Sequence, residues 1–497
     1  MNITRVMVTA IFGLAVSFSA AQAQSVDFYV QPVTPGPVQG IPLSVVTLQA
    51  AKPAGPAAAA HVAPGGPKLP HSGQVGAGPP SPTAVNEARN AAGEPIVVSV
   101  QAAPTAPWKS LQQLLDSGQV KGGDRIFLMD GYHGPLVVRN MNFNSPVLIA
   151  ASPGATAQAD SILVANSRNI IFRDLKVWPT STTSTSAIVR SYPDTSDLAF
   201  VNLDVRGGPD AGNYMSWSLA EWRDGLRTGM LIQGARQTIT GTRVTAVQHG
   251  ILATGDDDLL DGNIIDGFAG DGMRALGDRS IVRKNRVQNC IDIQDKQHRD
   301  GFQTYSIGSD GKVGTGTQYG LVVEGNKIFE WTSPVANPLR CRLQGISMFD
   351  GMYDNFRIEN NVVVVSAYHG LTVAGALNSV IRQNTVVNPS GQPARNPWIR
   401  IAYHKNGTPP RNTEVVNNLA SYIVVPDNAS LGIRAANNVI AGAASTEFVD
   451  FANENLALSA ASSAIDKGDP ARMTASDILD VKRFRGRGPD VGAYESR

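Results

Sequence analysis

Residues 250–285 read GILATGDDDLLDGNIIDGFAGDGMRALGDRSIVRKN, and two markers recur in this stretch at one interval. Gly250 and Gly272 each open a short apolar run 22 residues apart, and 22 residues also separate Asn263 from Asn285. Both series continue with no step shorter than 21 residues, and the longer steps contain loops rich in glycine, proline or polar residues. The complete series are Gly229, Gly250, Gly272, Gly301, Gly345 and Gly370, and Asn263, Asn285, Asn326, Asn361, Asn384 and Asn418.

This repeat length predicts a parallel β-solenoid. A repeat of 22 residues at about 3.3 Å per residue is far longer than one strand, so the chain must turn several times before it returns above its start. Stacked coils place one ladder of apolar side chains inside and the residues that follow them outside. The predicted inward ladder is Ile251, Met273, Phe302, Ile346 and Leu371. Asparagine suits the turns, because it tolerates left-handed backbone and hydrogen-bonds its neighbours.

The chain divides into three parts. Residues 1–23 place Arg5 before an apolar run and end at Ala21-Gln22-Ala23, which predicts a cleaved signal peptide and a secreted or periplasmic protein. Residues 24–94 are rich in proline, alanine and glycine and predict a disordered linker. Residues 95–497 form one predicted domain, in which residues 107–117 have the apolar spacing of a short helix that caps the open end of the sheets.

The charge balance excludes some classes of function. Lys and Arg number 42 against 41 Asp and Glu, a formal net charge of +1, so no global basic field exists to bind nucleic acid. No apolar run reaches the roughly 20 residues that a membrane span needs.

Cys290 and Cys341, the only cysteines, could pair in an oxidising compartment. We expect a monomer without a nucleotide or flavin, because no glycine-rich loop joins a strand to a helix.

Several stretches resemble one superfamily. They are GGDRIFLMDGYHG at residues 122–134, the repeated turns with the pattern xIxxNxV, HGLTV beginning at His369, and RGPDVGAYE at residues 487–495. Together they resemble the pectate-lyase-like right-handed parallel β-helix superfamily, over roughly residues 120–497. The resemblance implies an all-β, single-stranded right-handed parallel β-helix. It also implies polysaccharide lyase or mannuronan C5-epimerase activity, although the same fold serves hydrolases, tail spikes and adhesins.

The residues just before the glycines suggest where chemistry lies. They are Thr228, His249, Asp271, Asp300, Gln344 and His369. Like charges stacked about 5 Å apart repel each other and shift each other's pKa, so carboxylates on adjacent coils point to a function or to turn caps. The repeat also gains seven residues at 292–305, DIQDKQHRDGFQTY, and solenoid insertions emerge on one face, where they can build a groove wall.

These residue types suit chemistry on uronic acids. A lyase or C5-epimerase must neutralise the sugar carboxylate, remove the C5 proton and stabilise the resulting carbanion. We assign His298 as base or proton shuttle, Arg274 as carboxylate neutraliser, Asp300 and Asp271 as orienting or metal-binding carboxylates, and Tyr305 as second proton donor. Substrate-binding candidates are Lys296, Arg299, Gln303, His369 and Tyr403, and candidate calcium ligands are Asp295, Asp271 and Asp300.

The sequence therefore predicts an exported polysaccharide lyase that cleaves a uronate-containing polymer by β-elimination, with calcium as an optional cofactor. The alternatives are a C5-epimerase, a glycoside hydrolase and a non-catalytic glycan-binding protein, and a salt-bridged surface loop is the bland interpretation of residues 292–305. DKQH at 295–298 departs from the Asp-Pro-His motif of the epimerases. Ser347 and Thr372 stand where certain alginate and chondroitin lyases carry lysine and arginine. Arg400 and Tyr403 could extend the groove or be ordinary surface.

Overall fold

The structure, a computed structural model, describes residues 25–33, 107–180 and 186–496. The predicted signal peptide and most of the predicted linker lie outside these residues. Within them, the chain winds into coils of three strands each, and equivalent strands of successive coils pair in parallel. Each coil passes through sheet 1, sheet 2 and sheet 3 in that order, which confirms the predicted β-solenoid.

The strands of the three sheets have the following bounds in the described part of the chain. Sheet 1 contains Asp27–Val30, Arg125–Leu128, Asn142–Ala151, Arg168–Arg173, Ser196–Val201, Thr238–Thr240, Leu259–Asp261, Ile281–Arg283, Val322–Glu324, Arg357–Glu359, Val380–Arg382, Glu414–Val416 and Arg434–Ala436. Sheet 2 contains Gly131–Tyr132, Ala157–Ala159, Lys176–Val177, Asp204–Arg206, Arg243–Val247, Ile264–Phe268, Arg286–Cys290, Lys327–Phe329, Val362–Val364, Thr385–Val387, Leu419–Ala420 and Val439–Ile440. Sheet 3 contains Pro135–Arg139, Ser161–Ala165, Ala187–Ser191, Thr228–Ile232, Ile251–Ala253, Met273–Ala275, Arg299–Tyr305, Leu343–Asp350, His369–Ala374, Trp398–Ala402 and Tyr422–Val424.

The glycine ladder lies where the chain passes from sheet 2 into sheet 3. A Cβ atom on Gly272 would stand 2.4 Å from Val287 Cγ1 and 2.6 Å from the carbonyl oxygen of Gly301. Glycine is required here by close approach of the coils, since a side chain would collide with the core and with the next coil. Immediately after it, the predicted inward ladder from Ile251 to Leu371 is buried, which confirms the predicted register.

The asparagine ladder lies in the turn between sheets 1 and 2. Asn326 Oδ1 accepts hydrogen bonds from the main-chain N–H and the Nδ2 of Asn285, at 3.0 and 2.9 Å, and Asn326 bonds in the same way to Asn361 on the next coil. The predicted stacking is therefore confirmed. The predicted left-handed backbone is not at these asparagines but one residue earlier, at Gly262, Lys284, Gly325, Asn360, Gln383 and Asn417.

A short helix and an added strand cover the N-terminal end. The helix Leu111–Asp116 begins at Ser110, whose hydroxyl accepts from Gln113 N, and it buries Leu111, Leu114 and Leu115. The predicted capping helix is therefore present. Residues 27–30, which fall in the predicted linker, instead form the first strand of sheet 1 and pair with Arg125–Leu128.

The C-terminal residues 464–496 form a strap along the turns between sheets 1 and 2. Asn417 Oδ1 accepts from Asp469 N at 2.8 Å, and Asn360 Nδ2 donates to Ser476 O at 3.0 Å. Arg483 anchors the strap: it is buried, donates to Asn360 Oδ1 at 2.7 Å and lies 3.4 Å from Glu495 Oε2. The RGPDVGAYE stretch therefore closes the fold by packing back onto the coils.

Smaller elements complete the described chain. They are a parallel sheet of Thr317–Tyr319, Met352–Asp354 and Ala376–Leu377, an antiparallel pair of Phe448–Asp450 and Asn455–Leu458, the helices Leu219–Asp224 and Ala444–Glu447, and the 3-10 helices Ala211–Ser216, Ala429–Leu431, Phe451–Asn453 and Pro470–Arg472. Cys290 and Cys341 form a disulfide, with Cα atoms 5.4 Å apart. Among the helices described here, none is both long and apolar enough to span a bilayer.

Candidate functional site

The outer face of sheet 3 carries a column of polar side chains on consecutive coils. The pairing register aligns Arg274, Gln303, Ser347, Thr372 and Arg400, which we call the central column. Leu252 precedes the column and Val424 follows it at the same position. With coils about 4.8 Å apart, four steps place Arg274 and Arg400 roughly 19 Å apart along the axis. The column therefore ends in a guanidinium on each side.

Arg274 is neutralised by a neighbouring carboxylate. Its Nε donates to Asp271 Oδ2 at 2.6 Å and its Nη2 contacts the same oxygen, while its guanidinium lies 5.8 Å from the centre of the Tyr305 ring. Asp271 is buried, and its main-chain N–H donates to His249 Nδ1 at 2.9 Å. The predicted neighbours Arg274, Asp271 and Tyr305 are thus brought together, but the charge of Arg274 is already paired.

Asp300 lies behind the groove surface. It is 2% exposed, its main-chain N–H donates to Asp271 Oδ1 at 3.1 Å, and its Oδ2 accepts from Gln303 Nε2 at 2.9 Å. Burial and the neighbouring Asp271 carboxylate raise the pKa of Asp300 to about 8. Asp300 therefore orients Gln303, as one of the predicted roles requires, but its carboxyl group is not presented to a ligand.

The predicted insertion forms an exposed loop, and the buried side chain of Arg299 binds groups of this loop and of the preceding coil. Arg299 is 4% exposed, donates to Ala269 O at 3.0 Å and places Nη2 2.6 Å from Asp295 Oδ1. Its guanidinium therefore binds groups of the protein itself, and its assignment to substrate binding stays a prediction. Lys296 and His298 are exposed on this loop.

Burial and two neighbouring groups act together on the pKa of His369. Burial, the guanidinium of Arg400 and the charge of His298 lower the pKa of His369 to about 4. These three groups, which come from three different coils, are therefore close enough to interact electrostatically. The predicted ligand-binding residue His369 and the predicted base His298 therefore interact electrostatically, although their strands lie two coils apart.

The hydrogen bonds of His369 define which nitrogen carries its proton. Trp398 Nε1, which can only donate, lies 3.2 Å from His369 Nδ1, and Thr372 Oγ1 lies 2.9 Å from the same nitrogen. Assigned from these contacts, Nδ1 is an acceptor and the neutral ring carries its proton on Nε2. His369 is therefore a fixed, uncharged donor.

Aromatic rings surround this pair of histidines. The ring centre of His369 lies 4.6 Å from that of Phe349, 4.2 Å from that of Tyr368 and 5.4 Å from that of Trp398. Tyr368 is 45% exposed, as is the predicted ligand-binding residue Tyr403 on the loop after the next strand. The groove floor at this level is therefore largely apolar, with polar groups at its edges.

The three predicted calcium ligands are not gathered into a site. Asp271 is engaged by Arg274, Asp295 by Arg299, and Asp300 is buried against Gln303. In the described ranges, no group of three or more His, Cys, Asp and Glu side chains is arranged to hold a metal ion. The residues present do not fit calcium at this position.

Residues on the later coils contribute more to the groove than their sequence pattern indicates. Arg400 belongs to no ion pair formed among the described residues, and Arg395 and Tyr422, which lie beside it, were not predicted at all. The glycine series stops at Gly370, because the pairing register shifts there: His369 pairs with Trp398 and Leu371 with Ile399, so no residue of the next coil stands opposite Gly370. Extending the repeat by its spacing alone, without requiring glycine, would have placed Arg400 in the central column.

Comparisons with known proteins agree with this fold. The family described as a right handed beta helix region matches residues 228–420. A comparison with curated protein sequences finds no match. Among solved structures, a pectate lyase is 15% identical, with 80% of this chain and 93% of that chain covered and a TM-score of 0.39.

Two further solved structures are similar at the same low level. A mannuronic acid specific polysaccharide family 6 lyase from human gut microbiota is 15% identical, with 65% of this chain and 82% of that chain covered and a TM-score of 0.40. The A-module of a mannuronan C-5 epimerase from Azotobacter vinelandii is 11% identical, with 65% and 93% covered and a TM-score of 0.32. The three stacked parallel sheets show that this chain is a parallel β-helix protein, and the match over residues 228–420 agrees with a right-handed helix.

Proposed function

We propose that this protein is an exported carbohydrate-active enzyme that cleaves a uronate-containing polysaccharide by β-elimination. The observation that carries the proposal is that Arg400 lies on the coil next to His369 in sheet 3, with its guanidinium and His298 both close enough to lower the pKa of His369. Export is proposed from the signal-like residues 1–23.

Arg400 is the residue best suited to take the sugar carboxylate. Its guanidinium is half-buried in the groove, and none of the ion pairs of the described residues includes it. Arg274, which the sequence analysis assigned to this role, already has its charge matched by Asp271. An unpaired guanidinium in a groove binds a carboxylate without first losing an internal partner, so the proposal moves carboxylate neutralisation from Arg274 to Arg400.

His298 and His369 divide the proton chemistry. His298 is exposed at the groove and is assigned to remove the C5 proton of the bound uronate. The neutral His369 is assigned to donate from Nε2 to the sugar carboxylate as negative charge spreads onto it in the transition state. A neutral imidazole is suited to this role, because its pKa is low enough that the ring stays uncharged at neutral pH.

The elimination then breaks the bond between C4 and the glycosidic oxygen. The electron pair left at C5 forms the new double bond between C4 and C5, and the departing oxygen takes a proton. The proton comes from water, because Tyr305, the donor predicted from the sequence, lies against Arg274 at the far end of the central column from Arg400. Asp271 and Asp300 act through Arg274 and Gln303, so they are positioning residues.

The burial of both carboxylates argues against a glycoside hydrolase at this site. A hydrolase needs two carboxyl groups that reach the glycosidic bond from either side. Asp271 and Asp300 are each 2% exposed, and neither is presented to the groove. A C5-epimerase would begin with the same proton abstraction, so the products must distinguish it from a lyase.

The test is to incubate the purified protein with alginate, pectate and glycosaminoglycans and to follow ultraviolet absorbance from an unsaturated uronate. The expected result is a rise with at least one polymer, which His298→Ala and Arg400→Gln reduce by at least about a hundredfold, the lower end of what a positioned proton-transfer group contributes. Gln297→Ala, an exposed neighbour of His298, and Arg139→Gln, at the far end of sheet 3, are the matched controls and retain activity. Absence of a rise with every acidic polymer would overturn the proposal.

A further inference from the structure

An aromatic and basic surface continues the groove beyond the histidines. The pairing register aligns His369, Trp398 and Tyr422 on three consecutive coils, so that Tyr422 lies about 10 Å beyond His369 along the axis. Tyr422 is 37% exposed. These residues extend the line of the groove, with rings directed outward from sheet 3.

Two arginines accompany these rings. The guanidinium carbon of Arg395 lies 5.8 Å from the centre of the Tyr422 ring, and that of Arg400 lies 5.4 Å from the centre of the Trp398 ring. Neither arginine forms an ion pair within the described ranges. The surface therefore combines exposed rings with positive charge that no protein carboxylate neutralises.

We propose that Tyr422, Arg395 and Trp398 form a binding subsite for a pyranose that carries a carboxylate. A pyranose has an apolar face of C–H groups that packs on an aromatic ring, and a charged substituent at its edge that a guanidinium binds through paired hydrogen bonds. The rings and arginines here supply both at once. The proposal rests on the proposed function for the class of polymer, and it places Tyr422 one coil beyond Trp398, which adjoins His369.

The charge pattern of the groove favours an acidic sugar over a neutral one. At the Arg274 end, the guanidinium is matched by Asp271, and on the loop after Arg400, Lys405 is matched by Asp350. Arg395 and Arg400 carry positive charge that no carboxylate of the described residues pairs, on the stretch of groove that holds the rings. A bound neutral glycan would remove water from these two guanidinium groups and offer them no opposite charge, which costs free energy. A polyuronate instead supplies one carboxylate per sugar to pair with them.

The test measures binding by the full chain carrying His298→Ala, so that turnover does not consume the ligand. The probes are polygalacturonate, polymannuronate and hyaluronan, each compared with its carboxyl-reduced counterpart by isothermal titration calorimetry. Removing the ring in Tyr422→Ala is expected to weaken binding of the acidic probe between about twofold and tenfold, the range that corresponds to one aromatic contact. Tyr422→Phe keeps the ring and is expected to bind like the parent.

Arg395→Gln separates the charge from the ring. It is expected to weaken binding of the acidic probe and to leave binding of the carboxyl-reduced polymer unchanged. Because Arg395 is exposed, this variant also stands if Tyr422→Ala fails to fold. Tyr319→Ala, at another exposed tyrosine (46% against 37% for Tyr422), is the matched control and retains affinity.

The outcomes separate this proposal from the proposed function. Weaker binding in Tyr422→Ala and Arg395→Gln, together with no elimination by the unmodified protein, would retain the subsite and reject the lyase. Elimination without any change of affinity in these variants would do the reverse. Equal binding of acidic and carboxyl-reduced polymers, no binding of any acidic probe, or dimerisation through the Tyr422–Val424 strand that masks Tyr422 would overturn the subsite.

Discussion

Replacing Asn326 by alanine is expected to destabilise the protein far more than replacing an exposed asparagine. Asn326 is 4% exposed and sits at the centre of the asparagine ladder. Its Oδ1 accepts from the main-chain N–H and Nδ2 of Asn285, and its Nδ2 donates to Val282 O at 2.9 Å and Asn361 Oδ1 at 3.0 Å. Alanine removes all four side-chain hydrogen bonds and leaves their buried partners unsatisfied.

The magnitude follows from those four bonds. At about 1 kcal/mol for each hydrogen bond, Asn326→Ala should lower the free energy of unfolding by about 4 kcal/mol. Asn142→Ala, at an exposed position of sheet 1, should change it by less than about 0.5 kcal/mol. The two variants remove the same side chain, so intrinsic residue preferences largely cancel in the comparison.

The assay is urea denaturation followed by circular dichroism, with the disulfide kept oxidised. The midpoint of Asn326→Ala is expected to fall while the slope of the free energy against urea stays that of the unmodified protein. Equal midpoints for Asn326→Ala and Asn142→Ala would refute the reasoning, because they would mean that the ladder contributes no more than a surface amide. A changed slope would show that the coils no longer unfold together, as solenoids can do when one interface weakens.

Two further predictions concern stability. An unfolded Asp has a pKa near 4, whereas burial and Asp271 raise the pKa of Asp300 in the folded chain to about 8, so the folded state binds more protons between these two values and the free energy of unfolding should fall as pH rises from 4 to 8. Asp300→Asn should abolish that decline in denaturation measured from pH 4 to pH 8. An unchanged dependence of stability on pH in this variant would contradict the assignment. The disulfide closes a loop with a sequence separation of 51 residues, so Cys290→Ser with Cys341→Ser should cost about 4 kcal/mol of stability by loop entropy. A loss below about 1 kcal/mol in the same denaturation assay would show that the unfolded chain gains little freedom there.

Much of the fold follows from local sequence because a solenoid repeats one local solution. The collision of any Cβ at Gly272 with Val287 and the stacking of Asn326 between its neighbours are requirements of every coil, so both leave a periodic mark in the sequence. The strand at residues 27–30 leaves no such mark. It pairs with Arg125–Leu128, about 98 residues later in the chain. The residues that follow it are rich in proline and alanine, so the composition of the region gives no sign of a strand.

The candidate site was less predictable because burial, rather than residue type, decides which charges reach a ligand. Arg299 and Asp300 have the residue types of an active site, but both point into the protein and bind its own groups. His298 could be identified because it lies on an inserted loop, and inserted loops lie on the protein surface, where they are accessible to a ligand. Arg400 depends on the register of a coil that lacks the glycine marker, so only the paired strands place it beside His369.

Proton NMR of the material formed from a polyuronate tests the central claim most directly. If His298, His369 and Arg400 carry out β-elimination, the spectrum must gain the signal of a vinylic proton on C4 while the polymer becomes shorter. The unmodified protein should produce this signal and His298→Ala should not. A polymer of unchanged length with altered sugar configuration, or shorter chains without the vinylic proton, would contradict the account.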